Sequence, residues 1–285
     1  MNAKTIILFI VLLAASHFLL FPGGAIEWQT DWQSAAKTAV EKKQPVMMDF
    51  YTDWCPHCKR LDQITFVDAK VIDYFKNENY TLIKVNPEKD QEAEKKFKVF
   101  SYPTLVIFKA DGTEIDRMLG FKSPEDLIKS LENLKKGIGT LEDLLNKYSK
   151  FSKEDKSTEK FDLMFAINDK YIARADYPEA LEMIAEIIRL DKDNAQKKAS
   201  TAMSLTGYIY YKWKKFPEAV KSMLAIYKVY PGSEEAESGY LSAAYYAEKM
   251  NDNATALKIL KEFVTIFPDS EYVERCQKRI KTLEE

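Results

Sequence analysis

Length, composition and charge already exclude several classes of protein. The chain has 285 residues, of which 46% are apolar and 30% are charged, with 42 Lys and Arg against 44 Asp and Glu. A disordered or collagen-like chain does not have this composition, and a formal net charge of -2 provides no general electrostatic basis for binding nucleic acid. Three cysteines cannot form a disulfide-stapled scaffold. The length fits two folded domains, and the small number of glycines, nine, favours helix.

An apolar segment opens the chain. Lys4 precedes the apolar run, and a Pro-Gly-Gly-Ala sequence at positions 22–25 ends it with the small residues of a signal-peptidase site. We predict that residues 1–25 are a signal peptide or, without cleavage, an N-terminal membrane anchor, since the run is longer than most signal cores but short for a span. Both outcomes place the remainder outside the cytoplasm, in the periplasm. Removal of the segment leaves His57 as the only histidine, which excludes a Ser-His-Asp or Cys-His centre elsewhere.

Residues 26–138 alternate between helix and strand patterns, which predicts a first domain of α/β architecture. In chain order the pattern predicts a helix over 32–42, a strand over 45–51, a helix over 55–75, a strand over 80–85, a helix over 91–97, a strand over 105–108, a turn at 110–112, a strand over 114–119 and a helix over 124–134. The first strand is a compact apolar run, typical of a buried strand. It delivers two cysteines, Cys55 and Cys58, to the first turn of the next helix.

A Cys-x-x-Cys pair has three interpretations: a redox dithiol, half of a metal site, or two buried structural thiols. Zinc needs two further ligands, and without the leader the chain offers only Cys276 and His57, which lies between the two cysteines. Covalent haem attachment needs a histidine directly after the second cysteine, where Lys59 stands. We therefore expect no metal and no cofactor. In an exported chain the favoured interpretation is a small reversible disulfide, with structural thiols as the alternative.

Two segments of the first domain resemble the thioredoxin superfamily. Trp54-Cys55-Pro56-His57-Cys58 follows one apolar strand, and a distant Tyr102-Pro103-Thr104 precedes another. Over residues 27–135 this combination is similar to thioredoxin-fold redox domains, which implies that fold and disulfide exchange with protein thiols. The helix over 32–42 and segment 66–68 resemble the periplasmic thioredoxin-like domain of the DsbD electron transporters. The Pro-His pair, by contrast, resembles the DsbA oxidants. This hybrid leaves open whether the chain is a reductase, an oxidase or an isomerase.

The position of the cysteines suggests a role for each. Cys55 lies at a helix N-terminus, where unpaired N–H groups and the positive end of the dipole favour a thiolate, so it is the candidate nucleophile. Cys58, one turn further, is the candidate resolving thiol. His57 adds a hydrogen-bond donor, and a charge when protonated, unless it is merely an exposed helix residue. Because a stabilised thiolate stabilises the reduced protein, the Pro-His pair predicts a reduction potential above that of thioredoxin.

The resemblance implies further roles beside the cysteines. Pro103 matches the family's cis-proline, which lets Tyr102 pair with an extended substrate segment. Asp49 matches the buried carboxylate that handles the proton of the resolving thiol, and Lys84 falls where the family has its lysine partner. Taken without the family, a charge inside an apolar strand needs a partner or a raised pKa, which also suggests proton transfer. Trp54 is expected to shield the disulfide or to fill space at the domain edge.

From residue 139 to residue 285 the pattern is a series of amphipathic helices, which predicts an all-α second domain. Small residues and prolines recur in it with an offset of 37 residues: Gly207, Ala219, Pro231 and then Ala244, Ala256, Pro268. Helix pairs of this kind resemble tetratricopeptide repeats, with a period above the usual ~34 residues. Segments 230–237 and 267–272 resemble the variant found in bacterial envelope scaffold proteins.

A helical repeat has no chemistry of its own but offers a surface for an extended partner, so we expect this domain to dock a protein or peptide. Candidates to line that surface, unless they pack between helices instead, are Tyr208, Tyr211, Tyr240 and Tyr245. Cys276 is expected to be a buried apolar residue, with an intermolecular disulfide as the alternative.

The whole chain is therefore predicted to be a thioredoxin fold followed by tetratricopeptide-like repeats, acting as an exported thiol-disulfide oxidoreductase on protein substrates. In the reductase direction a membrane electron carrier is a possible partner. The alternative is a repeat-based envelope assembly scaffold whose dithiol is regulatory or vestigial. The candidate catalytic residues are Cys55, Cys58, His57, Asp49 and Pro103, and the candidate substrate-binding residues are Trp54, Tyr102 and Pro103.

Overall fold

A computed structural model describes residues 25–285, so the predicted signal peptide or anchor lies outside the described residues except for its last position. The strands are β1 (Val46–Phe50), β2 (Thr81–Val85), β3 (Thr104–Phe108) and β4 (Glu114–Leu119). The first helices are α1 (Trp32–Glu41), α2 (Pro56–Arg60), α3 (Ala69–Asn77), α4 (Gln91–Phe97) and α5 (Pro124–Lys135). The later helices are α6 (Leu141–Tyr148), α7 (Thr158–Arg174), α8 (Tyr177–Leu190), α9 (Lys198–Lys212), α10 (Phe216–Val229), α11 (Glu234–Lys249), α12 (Asn253–Ile266) and α13 (Val273–Glu284). Between residues 25 and 285, none combines the length and the apolar character that a membrane span requires.

The four strands form one mixed sheet in the order β2-β1-β3-β4. Strand β1 pairs in parallel with β2 and antiparallel with β3, which in turn pairs antiparallel with β4. The inner strands β1 and β3 are buried along their whole length because helices cover both faces of the sheet. Helices α1 and α4 pack on one face, and α3 and α5 pack on the other. The sheet is the α/β arrangement that the sequence predicts.

The prediction of a single helix over residues 55–75 is wrong. Helix α2 continues into a π-helical turn, Leu61–Thr65, and the helical hydrogen bonding ends at Phe66. A new helix, α3, begins after Asp68, whose carboxylate accepts hydrogen bonds from the N–H groups of Lys70 and Val71. A capping carboxylate satisfies the first N–H groups of a helix and therefore favours a helix start over continuation. The apolar pattern does not reveal the break because residues on both sides of it pack into one core cluster.

The helices after α6 pack as antiparallel pairs, α7 with α8, α9 with α10 and α11 with α12, followed by α13. Small residues allow close crossings between them. A Cβ atom added to Gly207 would lie 2.7 Å from the Met223 side chain, and one added to Gly239 would lie 2.9 Å from the Met223 carbonyl oxygen. Ala219 and Ala256, which the repeat pattern singles out, are fully buried. The second region is thus the predicted all-α repeat.

Edge strand β4 lies against α7, the first helix of these pairs. Asp116 of β4 is fully buried and forms ion pairs with Lys170 and Arg174 of α7. Arg174 also donates to the carbonyl oxygen of Ile115 at 3.1 Å, and Arg117 donates to that of Ala173 at 3.5 Å. A buried charge is tolerated in a protein interior only when it is paired. These contacts fix the end of α7 against the edge of the sheet.

Candidate redox site

The two cysteines lie shortly after the C-terminal end of the buried inner strand β1. The N–H of Cys55 donates to the carbonyl oxygen of Thr52 at 3.2 Å, which turns the chain into α2. Cys55 is the N-cap residue of α2, and Pro56 occupies its first turn, a position where its missing N–H costs nothing. Cys55 and Cys58 are joined by a disulfide, with their Cα atoms 5.3 Å apart.

A backbone N–H group at the start of α2 points at the first sulfur. The Cys55 Sγ atom accepts a hydrogen bond from the N–H of Cys58 at 3.1 Å. Both sulfur-bearing residues are buried, whereas His57 is exposed on the same turn. An N–H group pointing at sulfur from the start of a helix favours a thiolate over a thiol in the reduced state. This hydrogen bond is consistent with the prediction that Cys55 is the nucleophile of the pair.

Pro103 precedes strand β3, and the Tyr102–Pro103 peptide bond is cis, as the family resemblance implies. The Pro103 carbonyl oxygen accepts a hydrogen bond from the N–H of Gly120 at 2.9 Å. Within residues 25–285, the N–H and carbonyl groups of Tyr102 take part in no backbone hydrogen bond. An extended polypeptide beside Tyr102 therefore finds a free donor and a free acceptor.

Trp54 is the most exposed large apolar side chain beside the disulfide, with 64% of its surface accessible. Its ring meets the edge of the Tyr102 ring at a centroid distance of 6.2 Å. Its indole N–H donates to the Glu88 carboxylate at 2.7 Å, so the ring is held in place. Two predicted substrate-binding residues, Trp54 and Tyr102, are thus in contact. No pattern in the sequence pointed to Glu88, because its position depends on how a loop folds back.

A buried carboxylate lies on β1, the strand that leads into the disulfide. Asp49 is buried, and Lys84 on β2 places its Nζ atom 3.8 Å from the Asp49 Oδ2 atom. The other oxygen, Oδ1, has no hydrogen-bond partner among the described residues. Burial raises the pKa of Asp49 to about 7, against the opposing effect of the Lys84 charge. Asp49 can therefore gain and lose a proton near neutral pH.

Asp62 is a charged neighbour that the sequence analysis missed. It lies in the π-helical turn and pairs directly with Lys84, so that one ammonium group connects a half-exposed carboxylate to the buried Asp49. Its charge also raises the pKa of Asp49. The available signal was spacing, because Asp62 follows Cys58 by four residues and such positions share a helix face.

The candidate docking tyrosines separate into two groups. Tyr240 is buried, and Tyr211 stacks on the Tyr246 ring at 4.5 Å, so both serve packing between helices. Tyr208 and Tyr245 are exposed. Cys276 is buried, as the sequence predicts. Residues 25–285 contain no group of three or more His, Cys, Asp or Glu side chains arranged to hold a metal ion.

Comparison with protein families gives one match in each region of the chain. Residues 32–135 match the model of a thioredoxin-like domain, and residues 237–270 match that of a tetratricopeptide repeat. The chain therefore contains a thioredoxin-like domain with a Cys-x-x-Cys pair, followed by a helical region with a tetratricopeptide repeat.

Curated relatives of the first region are proteins named thiol:disulfide interchange protein DsbD. The one from Campylobacter jejuni (strain RM1221) is 40% identical over 93 residues, which are 31% of this chain and 16% of that protein. The one from Ralstonia nicotianae is 32% identical over 109 residues, 37% of this chain and 17% of that protein. This chain thus spans about a sixth of the length of the curated relatives it matches.

Solved structures similar to this chain include the C-terminal domain of Neisseria meningitidis DsbD in its oxidised form. The sequences are 26% identical, the match covers 38% of this chain and 98% of that domain, and the TM-score is 0.34. A structure described as the DsbH oxidoreductase is 20% identical, with coverage of 40% of this chain and 87% of that one and a TM-score of 0.35.

Proposed function

We propose that this chain is an exported thiol-disulfide oxidoreductase that exchanges disulfides with protein clients through Cys55 and Cys58. The observation that carries the proposal is the Cys55–Cys58 disulfide at the start of α2 in a thioredoxin-like domain, with an N–H group directed at the Cys55 sulfur. The DsbD relatives, which are named for thiol:disulfide interchange, support the same chemistry.

In the reductive direction the reaction has two exchange steps. The Cys55 thiolate attacks one sulfur of a client disulfide, a mixed disulfide forms, and the other client sulfur leaves as a thiolate. The Cys58 thiolate then attacks the Cys55 sulfur, which closes the internal disulfide and releases the second client thiolate. The client gains two electrons and the Cys55/Cys58 pair loses two. The oxidative direction is the same sequence reversed.

Asp49 accepts the proton that the Cys58 thiol loses in the second step. Before Cys58 can attack, its thiol must lose a proton, and a carboxylate with a pKa of about 7 on the strand that leads into the site is suited to accept it. We propose that Lys84 and Asp62 continue the path toward solvent, because Lys84 is placed between the buried carboxylate and the half-exposed one.

We assign client binding to the backbone beside Pro103, just before β3. The free backbone groups of Tyr102 suit an extended client segment, and the exposed Trp54 ring, held by Glu88, covers one side of it. Tyr102 lies two residues before Thr104, where the pairing of β3 with β1 begins.

The helical repeats are proposed to dock a protein or peptide partner, and residues 1–25 to direct the chain to the periplasm, as a signal peptide or as an anchor. Turnover as a reductase requires fresh electrons after each cycle, and we propose a membrane electron carrier as their source. The DsbD names support a shared thiol chemistry only for the matched region, since that region is about a sixth of those proteins.

Two assays on residues 26–285 test the proposal: reduction of insulin disulfides by the reduced protein, and oxidative refolding of a reduced client by the oxidised protein. We expect activity in at least one assay and its loss in Cys55→Ser. Cys276→Ser is the matched control, because Cys276 is buried in the repeats, and it should retain activity. Equal activity in Cys55→Ser and the unaltered protein would instead favour the scaffold alternative.

A further inference from the structure

A cleft of about 530 Å³ separates the thioredoxin-like domain from the first helices of the repeats. One wall comes from the end of β4 and from α5, and the other comes from α7 and α9. Three large apolar side chains that line it are exposed: Leu119, Ile138 and Tyr208. Apolar side chains gathered in one cleft, unlike single ones scattered over a surface, indicate a binding site.

One residue that lines the cleft lies close to the backbone at which the client is proposed to bind. Leu119 immediately precedes Gly120, whose N–H donates to the Pro103 carbonyl oxygen. Leu119 also faces Thr104, the residue after Pro103, across the β3–β4 pair. An extended chain advances about 3.3 Å per residue. A client segment bound beside Pro103 is therefore only a few residues away from Leu119.

The charged side chains of the cleft are also suited to binding a polypeptide. Two of its charged side chains are already paired, Arg117 with Glu114 and Lys170 with Asp116. By contrast, Asp169 on α7 and Lys122 after β4 form no ion pair within residues 25–285, and both line the cleft. A free carboxylate and a free ammonium group can bind the N–H and carbonyl groups of an extended backbone, while the apolar side chains accept a client side chain.

We propose that this cleft binds the client residues that flank the reactive cysteine, with an apolar client side chain between Leu119, Ile138 and Tyr208. The inference rests on the proposed function and deepens it. Helix α9 thereby contributes to client selection directly, since Tyr208 lines the same cleft as Leu119. The buried pairs of Asp116 with α7 hold the two walls in a fixed relation.

Short synthetic peptides with one central cysteine, linked as a mixed disulfide to thionitrobenzoate, test the inference. The Cys55 thiolate attacks the peptide sulfur and the thionitrobenzoate thiolate leaves, so its absorbance reports the rate. In a peptide series, Leu replaces Ala at each position on either side of the cysteine. We expect one or more Leu positions, on one side, to raise the second-order rate constant about 10-fold, or ~1.4 kcal/mol.

Tyr208→Ala should reduce that advantage of Leu over Ala to less than about 2-fold, or ~0.4 kcal/mol. Tyr272→Ala is the matched control, since Tyr272 has the same exposed fraction, 37%, but lies next to α13 at the far end of the repeats. Reduction of free dithionitrobenzoate, which has no flanking residues, should be unchanged in both variants.

Two results overturn the inference and leave disulfide exchange intact: equal rates for all peptides with the unaltered protein, or an undiminished Leu advantage in Tyr208→Ala. If the unaltered protein reduced dithionitrobenzoate no faster than free cysteine does, the proposed function itself would fail. The small disulfide thus separates failure of the chemistry from failure of the cleft.

Discussion

Asp49 and Lys84 occupy the same register position on the adjacent strands β1 and β2, and their charged groups are 3.8 Å apart. Strand pairing therefore sets the distance between the buried carboxylate and its nearest cation. The ammonium group also lies 4.9 Å from the centre of the Tyr51 ring. Burial still dominates, so the Asp49 carboxylate titrates near neutral pH despite its partner.

Asp49→Asn should stabilise the oxidised protein at neutral and higher pH. The pKa of Asp49, about 7 when folded, exceeds its ordinary value of about 4. Between these values the folded chain binds more protons than the unfolded chain, so the free energy of unfolding falls as the pH rises. We expect the variant to gain about 4 kcal/mol above pH 7 and little below pH 4.

Urea unfolding of both proteins across this range measures the gain. Asp62→Asn, at a half-exposed partner of the same lysine, is the control and should show no such gain. A gain for Asp49→Asn that is independent of pH would contradict the raised pKa of the buried carboxylate.

His57→Ala should lower the reduction potential of the Cys55/Cys58 pair. His57 is exposed on the first turn of α2. We expect its N–H donor, and its charge when protonated, to stabilise a neighbouring thiolate and hence the reduced protein. A fall of about 30 mV, or ~1.4 kcal/mol, is expected from equilibration with glutathione buffers. Lys59→Ala, on the same exposed turn, controls for the general loss of a cation. An unchanged potential would assign His57 no role beyond an exposed helix position.

Cys58→Ala should accumulate mixed disulfides between Cys55 and client proteins, because the second exchange step is lost. Non-reducing electrophoresis of the variant, purified from the periplasm of cells that express it, detects these species. Addition of dithiothreitol should release them, and the double variant Cys55→Ala/Cys58→Ala should form none. Adducts that persisted in the double variant would point to Cys276 and count against Cys55 as the nucleophile.

Asp116→Ala should destabilise the junction between β4 and α7. It removes the buried partner of Lys170 and Arg174, and breaking a buried pair typically costs about 3 kcal/mol or more. Glu274→Ala breaks an exposed pair with Lys278 and should cost less than about 0.5 kcal/mol. Thermal unfolding compares the two variants. Equal effects would show that the buried junction contributes no more than a surface pair.

Local sequence patterns predicted most of the helices and strands of the first domain. The strands and the helices after β2 lie within a residue or two of the predicted bounds, because alternation of apolar runs and capping residues encodes them directly. The break before α3 was missed although Asp68 is itself a helix-capping residue. Its carboxylate competes with helix continuation, and this competition leaves no mark on the apolar pattern.

By itself, the sequence determined the chemistry: two cysteines at a helix start, a carboxylate in an apolar strand, and a repeat of small residues. Each is a property of neighbours along the chain, where helix and strand geometry place side chains from spacing alone. Only the tertiary structure decided that Lys84 pairs with both Asp49 and Asp62. It also decided the hydrogen bond between Trp54 and Glu88, and the cleft lined by Leu119 and Tyr208. These depend on packing between elements distant in sequence, because the burial that shifts a pKa or shapes a cleft arises only when separate layers meet.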